Sequence, residues 1–301
     1  MRKSTRVERK PDWLKVRLNT NDNYKYIKGL VREGRLNTVC EEARCPNIHE
    51  CWGEQRTATF MILGDICTRR CRFCSVKTGV PGAVDTGEPE RLAASVGGMG
   101  LRHVVITMVN RDDLPDGGAA VLGETIEAVH RGAPECAVEV LASDLMAERD
   151  SIARVARAQP EVMSHNIETV RRLTPQIRSR STYERSLEFL RIANELDPEG
   201  TTKSSMMLGL GESKNEILET MDDLRAVGVS IINLGQYLQP ARTNIAVERY
   251  YDPKEFAQLK HAALEKGFSH CEAGPLVRSS YHAGEQYEHY RRRVHPFYSD
   301  E

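Results

Sequence analysis

Three cysteines, Cys67, Cys71 and Cys74, fall in one short stretch, separated by three and then two residues. Thiolates this close together can hold three corners of an iron–sulfur cube, a site that their softness favours. The fourth iron then has no protein ligand and is open to a small molecule. An electron-transfer ferredoxin would bring a fourth cysteine nearby, and none follows before Cys136. A structural zinc site would also want four ligands, commonly as two Cys-x-x-Cys pairs. A reduced or zinc-bound thiol loop is the alternative to a cluster.

A second triplet, Cys40, Cys45 and Cys51, precedes the first, with gaps of four and five residues. These gaps match none of the common zinc-finger or ribbon spacings. Pro46 breaks any helix here, so the thiols can wrap around one centre instead of lying along a face. Three thiolates again suggest a cubane cluster with one iron needing a further ligand. His49 is a candidate by proximity, and a surface histidine is the alternative.

Such loops need a rigid base. Residues 57–64 are apolar and free of proline and predict a buried strand. Cys67 then sits on the loop leaving the strand's C-terminal end, where parallel α/β folds build their sites. Further strands are expected at 103–109, 137–142, 161–168, 202–211 and 230–237. Helix signals lie between them. Ser213 with Glu216 and Ser181 with Glu184 read as capping boxes, with Gly228 closing the first of these helices. Asp252, Pro253 and Glu255 open another that Gly267 ends. Residues 24–35 predict a short amphipathic helix with Tyr26, Leu30 and Val31 on one side. Repeated βα units imply a parallel sheet with right-handed crossovers. Six such units fall short of a closed eightfold barrel, so an open, partial (βα)6 TIM-type barrel is expected.

With Phe73 just before Cys74, the first triplet resembles the radical S-adenosylmethionine (SAM) superfamily. The second triplet ahead of it narrows the likeness to the lipoyl synthase family. The flanks at Thr38 to Asn47, Asp113 to Gly118, Leu208 to Glu212, Gly235 to Pro240 and Gly274 to Ala283 resemble that family too. The likeness runs from about Arg9 to about Tyr290, and the departures lie in the tails.

The resemblance implies a barrel of the radical SAM type and two [4Fe-4S] clusters, with SAM as co-substrate. The cluster on Cys67, Cys71 and Cys74 would cleave SAM to a 5′-deoxyadenosyl radical that takes hydrogen from unactivated carbon. The cluster on Cys40, Cys45 and Cys51 would be completed by the oxygen of Ser280 and would donate sulfur. Two sulfurs would enter at C6 and C8 of an octanoyl chain on a carrier lysine. The carrier would be a glycine cleavage H protein or a dehydrogenase E2 lipoyl domain, and the electrons would come from a flavodoxin or ferredoxin. Expected contacts to SAM are Phe73 in the first triplet, Asn110 and Asp112 after the second strand, Asn166 and Glu168 after the fourth, and Gln236 at the end of the sixth. Arg180 and Lys203 are candidates to neutralise its carboxylate. Gly209 and Gly211 would let the backbone approach the adenine. His165 reads as packed, and Cys136 and Cys271 as inert core thiols.

Residues 1–54 are expected to form an N-terminal extension with the second triplet, 55–270 the barrel, and 271–301 an extension closing the second site. The basic ends, Arg2 to Arg17 and Arg291 to Arg293, read either as solvated tails or as docking arms for an acidic carrier.

The totals set bounds. A chain of 301 residues, 40% hydrophobic, can bury an ordinary core. No apolar run is long enough to span a bilayer, and the first residues are basic and polar, unlike a secretory signal. Six of the eight cysteines fall in the two triplets, which favours metal binding in a reducing compartment over disulfides. A net charge of −1 gives no support for a nucleic-acid partner. A cytoplasmic monomer is expected. A tRNA methylthiotransferase would need widely spaced N-terminal cysteines and an RNA-binding module, and neither is present. An electron carrier or metal-binding scaffold with two iron–sulfur centres is the reading of a different class.

Overall fold

The computed structural model describes residues 10–16, 18–55 and 57–294. Its strands, in chain order, are β1 (Asn37–Thr38), β2 (Thr59–Ile62), β3 (Ile66–Cys67), β4 (Lys77–Thr78) and β5 (His103–Met108). They continue as β6 (Ala137–Leu141), β7 (Val162–Ser164), β8 (Thr201–Leu208), β9 (Ile231–Gln236) and β10 (His270–Gly274). One eight-stranded sheet runs β1-β2-β5-β6-β7-β8-β9-β10, and β3 with β4 forms a separate two-stranded ribbon. Within the large sheet only the β1–β2 pair is antiparallel. Helices over 88–99, 119–132, 149–156, 183–196, 214–226 and 253–265 connect successive strands and cover the outside. The result is the open, TIM-type partial barrel that alternating βα units dictate.

The six expected barrel strands are all present, and two more join them. β10 pairs in parallel with β9, Cys271 opposite Ile232. Its short sequence, His270 to Gly274, carries no apolar run, and it crosses the expected boundary at residue 270. β1 extends the other edge by two residues.

Local chemistry explains the helix ends. Ser213 with Glu216 and Asp252 with Glu255 form complete capping boxes. The expected box at Ser181 does not form. Thr182 caps that helix by accepting from the Arg185 amide, while the Ser181 hydroxyl accepts from the buried Arg69 guanidinium at 2.6 Å. The first amphipathic helix spans Asp22–Glu33 and buries Ile27 and Val31. Tyr26 is exposed, correcting the face expected for it, and its hydroxyl donates to the Gly98 carbonyl at 2.9 Å.

Alternate residues of β8 face the barrel interior. Ser205 and Met207 reach a central cavity at the C-terminal end of the sheet. Lys203 lies a layer below, buried, with its ammonium 3.0 Å from Glu139 of β6. Ser164 donates to the same carboxylate at 3.2 Å. Lys203 is therefore committed to a core ion pair and does not reach the cavity. No helix among the described residues is long and apolar enough to cross a membrane.

Candidate active site

One cavity of ≈ 480 Å³ is lined by Cys67, Cys71 and Cys74 on one side and by Cys40, Cys45 and Ser280 on another, with Cys51 of the second triplet set behind it. The first triplet starts with Cys67 at the end of β3 and runs into the loop to β4, a ribbon that fixes both ends of that loop. Thr68 anchors it to β5's end, donating from its amide and its hydroxyl to the Asn110 carbonyl at 3.0 Å. Arg72 donates its amide to the Ile177 carbonyl at 2.8 Å. From outside, Asn244 donates to the carbonyls of Cys74 and Arg72 at 2.8 and 3.2 Å.

Amides also point at the sulfurs. Arg69 N–H donates to Cys67 Sγ and Val76 N–H to Cys74 Sγ, each at 3.4 Å. Such bonds are a means of tuning a cluster's potential. Burial pushes the Cys74 thiol up to about 12 and raises Cys71, although the Ser179 amide and Arg178 oppose the shift at Cys71. Cys71 and Cys74, whose charged forms are disfavoured by desolvation and by neighbouring sulfur, need a cationic centre to become thiolates together.

The second triplet is built from short pieces. Thr38 caps the Val39–Glu42 helix that carries Cys40, and Cys51 opens the turn 51–55. The C-terminal segment folds over them. Asn47 donates to the Leu276 carbonyl at 2.7 Å, Tyr281 donates to Glu50 at 2.9 Å, and Ser280 Oγ accepts from Thr59 at 2.8 Å. Asn233 of β9 donates to the carbonyls of Arg278 and Ser279. Glycine is required at position 235, where a Cβ would lie 2.1 Å from the Val277 carbonyl oxygen. Burial pushes both Cys40 and Cys51 up to about 12. His49 takes no part: its Nδ1 lies 2.9 Å from the Asn19 carbonyl and its ring stacks on Tyr24.

Thiols are the soft donors that an iron–sulfur cluster takes. Among the described residues, no group of three His, Cys, Asp or Glu side chains is placed to hold one metal ion. A cube asks instead for thiolates spread around it, each bound to a different iron. The cavity wall also carries unmet hydrogen-bond capacity. Asn110 Oδ1, Asn166 Oδ1, Ser205 Oγ, Asn233 Oδ1 and Arg178 Nε are buried without partners, and their residues all line the cavity. Buried polar atoms of this kind call for a polar ligand.

Of the residues expected to meet SAM, the structure brings Phe73, Asn110, Asn166, Glu168 and Gln236 to the cavity. Glu168 stands at φ +66°, bridged to Met206, and accepts from Asn166 at 3.1 Å. Burial raises its carboxyl, against the pull of Arg178. Gln236 is held on four sides: it donates to the carbonyls of Leu208, Tyr237 and Arg249 and accepts from the Tyr251 amide. Asp112 does not reach the cavity, because it pairs with Arg69 at 2.7 Å. Arg180 is exposed, and Arg178 lines the wall instead. Gly209 and Gly211 also lie off the cavity wall. Their turn folds back so that Glu212 accepts from the Gly209 and Leu210 amides. A Cβ at Gly209, φ +101°, would meet Gln236 at 2.3 Å. His165 is packed as expected, its Nε2 2.9 Å from Ser186, and burial lowers its pKa to about 4.

Sequence reasoning missed Arg178, Ser205, Asn233 and the Arg69–Asp144 pair. Asn233 alone left a signal, a polar residue within an otherwise apolar strand.

Comparison with known proteins agrees with this geometry. The radical SAM superfamily model matches residues 61–224, and the model for the N-terminal domain of lipoyl synthase matches residues 1–45. A protein from Halalkalibacterium halodurans named lipoyl synthase is 63% identical over 95% of this chain and 94% of its own. One of the same name from Shouchella clausii is 64% identical over 92% and 90%. Among solved structures, the FeFe-hydrogenase maturase HydG from Carboxydothermus hydrogenoformans aligns with a TM-score of 0.57 at 16% identity, covering 90% of this chain and 63% of that one. Methylornithine synthase aligns at 0.55 and 12%, covering 69% and 62%, a likeness of fold. This chain belongs to the lipoyl synthase family of radical SAM enzymes.

Proposed function

We propose that the enzyme inserts sulfur at C6 and C8 of an octanoyl group amide-linked to a carrier lysine, with the two thiol triplets holding separate [4Fe-4S] clusters. The observation that supports this reading is that Cys67, Cys71 and Cys74 share one cavity with Cys40, Cys45 and Ser280. An acyl chain lying between them can meet a radical on one side and a sulfur source on the other. When bound, the clusters and SAM supply one-electron cleavage of the sulfonium and the sulfur to be transferred.

The chain's own residues position and enclose. Cys67, Cys71 and Cys74 hold the first cluster, and Cys40, Cys45, Cys51 and Ser280 the second. Asn166, Glu168 and Ser205 offer hydrogen bonds to the ribose and amino groups of SAM, and the Arg178 guanidinium faces its carboxylate. Residues 1–54 and 271–301 act as the two flanks that complete the second site on the barrel of 55–270. Lys10 of the N-terminal flank lines the cavity. Of the basic docking arms, residues 1–9 and 17 and the side chains of Arg291, Arg292 and Arg293 lie outside the described residues.

The reading is tested by incubating the anaerobically reconstituted protein with SAM, dithionite and an octanoyl-lysine peptide. Mass spectrometry is expected to find 5′-deoxyadenosine and a peptide carrying two added sulfurs. A reductively loaded protein that makes no 5′-deoxyadenosine would instead be an electron carrier.

The natural reductant in this reading is an acidic flavodoxin or ferredoxin docking over the first loop. Arg70 and Arg72, on either side of Cys71, are exposed, as is Arg242 beside the Asn244 contact. Arg70→Glu with Arg72→Glu should slow 5′-deoxyadenosine formation about tenfold at low salt when flavodoxin supplies electrons. The same variant driven by dithionite should match the parent. An equal loss with both reductants would place the arginines in the site itself.

A further inference from the structure

Two polar side chains stand in the core where apolar packing would serve. The Tyr183–Leu196 helix turns Tyr183, Phe189, Leu190, Ile192 and Ala193 inward, and Ser186 shares that buried face at 0% exposure. His165, just past β7, is 3% exposed, and its ring centre lies 4.9 Å from that of Phe189. Burying a hydroxyl and an imidazole is costly unless their hydrogen bonds are met, and apolar residues would fill the same space without that cost. Ser186 does not reach the barrel cavity, so contact with a ligand does not account for it.

Their hydrogen bonds run in one direction. His165 Nδ1 lies 2.9 Å from the Ala142 carbonyl, which can only accept, so Nδ1 carries the proton. The ring is neutral at pH 7, which makes Nε2 an acceptor, and the Ser186 hydroxyl donates to it over 2.9 Å. The Thr182 carbonyl, at 3.3 Å, is the weaker claimant on that single hydrogen. Ser186 Oγ is then left to accept, and Arg178 Nη1 donates to it at 2.6 Å and to the Ile167 carbonyl at 3.3 Å. At the other end of this chain, Arg178 lines the barrel cavity and its Nε is buried without a partner. Glu168 attracts the same guanidinium, so a long flexible side chain is held between a fixed anchor and a competing charge.

We propose that Ser186, oriented by His165, is a positioning residue that aims the Arg178 guanidinium at the carboxylate of SAM. This rests on the reading of Arg178 as the partner of that carboxylate. No proton moves along the chain; the imidazole fixes where the hydroxyl hydrogen points, and the hydroxyl oxygen fixes the guanidinium. Without the Ser186 oxygen, the guanidinium is drawn towards Glu168 and must be pulled back when SAM binds.

The test follows 5′-deoxyadenosine formation by the reconstituted full-length protein with dithionite and octanoyl-lysine peptide while SAM is varied. Ser186→Ala should raise the SAM concentration for half-maximal rate about tenfold and leave the rate at saturation within about twofold of the parent. Decarboxylated SAM, added as a competitor, should bind parent and variant alike. In an Arg178→Met background, the further change of Ser186 to Ala should cost nothing more. A Ser186→Ala protein that uses SAM as the parent does would overturn the inference. Equal weakening towards SAM and its decarboxylated form, or a loss that adds in full to that of Arg178→Met, would make Ser186 a packing residue and do the same. Unchanged half-saturation in Arg178→Met itself would instead overturn the reading of Arg178. Nitrogen-15 NMR of histidine-labelled, reconstituted parent should show neutral His165 with its proton on Nδ1. A proton on Nε2 would reverse the chain and overturn the inference, whether or not Ser186→Ala folds.

Discussion

Replacing Cys40, Cys45 and Cys51 together by Ala should abolish sulfur insertion into the octanoyl peptide and leave 5′-deoxyadenosine formation running. Replacing Cys67, Cys71 and Cys74 should abolish both. The asymmetry follows from what each triplet touches. The first loop shares its side of the cavity with Asn166, Glu168 and Arg178, the groups proposed to meet SAM, whereas the second is walled by the C-terminal segment around Ser280. Removing the second set of thiols leaves the β3–β4 ribbon, its amide-to-sulfur bonds and the Asn244 contact in place. Without a sulfur source, a hydrogen can still be taken from the acyl chain, so 5′-deoxyadenosine accumulates with no gain in peptide mass beyond the parent octanoyl form. Paired chromatography of the nucleoside and mass spectrometry of the peptide checks both variants. Sulfur insertion surviving loss of Cys40, Cys45 and Cys51 would remove the donor role from that site, and 5′-deoxyadenosine made without the first triplet would remove the cleavage role from the other.

The parts of this architecture that are local in the chain are legible in the sequence. Two cysteine triplets, the β-rich run before Cys67 and the Ser213 and Asp252 capping boxes each declare themselves within a dozen residues. What the sequence conceals is long-range or a matter of depth. Lys203 alternates correctly into the barrel interior, but only the registers of β6 with β7 and of β7 with β8 show that Glu139 waits for it below the cavity. Arg178 and Arg180 stand two positions apart, and spacing cannot say which one turns inward. The backbone decides: Arg178 is buried against the Ile167 carbonyl and Ser186, while Arg180 sits exposed at φ +59°. Arg69 looks like one more basic residue on a loop, and its principal acid lies 75 positions away.

That acid, Asp144, should be among the costliest side chains in the protein to neutralise. Arg69 and Asp144 are 2% and 0% exposed at the side chain, and they meet through paired hydrogen bonds of 2.6 and 2.8 Å. Arg69 also grips Asp112 and Ser181, so a single guanidinium ties the first cysteine loop to the ends of three other segments. Asp144→Asn keeps the shape and removes the charge, and should lower stability by about 2 kcal/mol because a buried cation loses one of its two carboxylate partners and keeps only Asp112. Burial alone would raise the Asp144 carboxyl, but the Arg69 guanidinium outweighs it and holds the pKa down to about 2. Other groups acting on it are Arg185 at 3.7 Å, Arg178, Asp112 and His165, which burial keeps neutral down to about pH 4. A carboxyl depressed from the unfolded value near 4 contributes stability above that pH and loses it as pH falls towards 2. For Asp144 this amounts to roughly 2 kcal/mol. Urea unfolding of the apoprotein from pH 7 to pH 3 should therefore show the parent losing stability on the acid side more steeply than Asp144→Asn. Arg69→Met combined with Asp144→Leu should cost less than either change alone, since it leaves no buried charge facing an apolar partner, although Asp112 then loses its own arginine. Parallel acid limbs in parent and variant, or single changes that cost no more than the double, would mean that the loop is held by its backbone bonds at Thr68 and Arg72 and owes little to this ion pair.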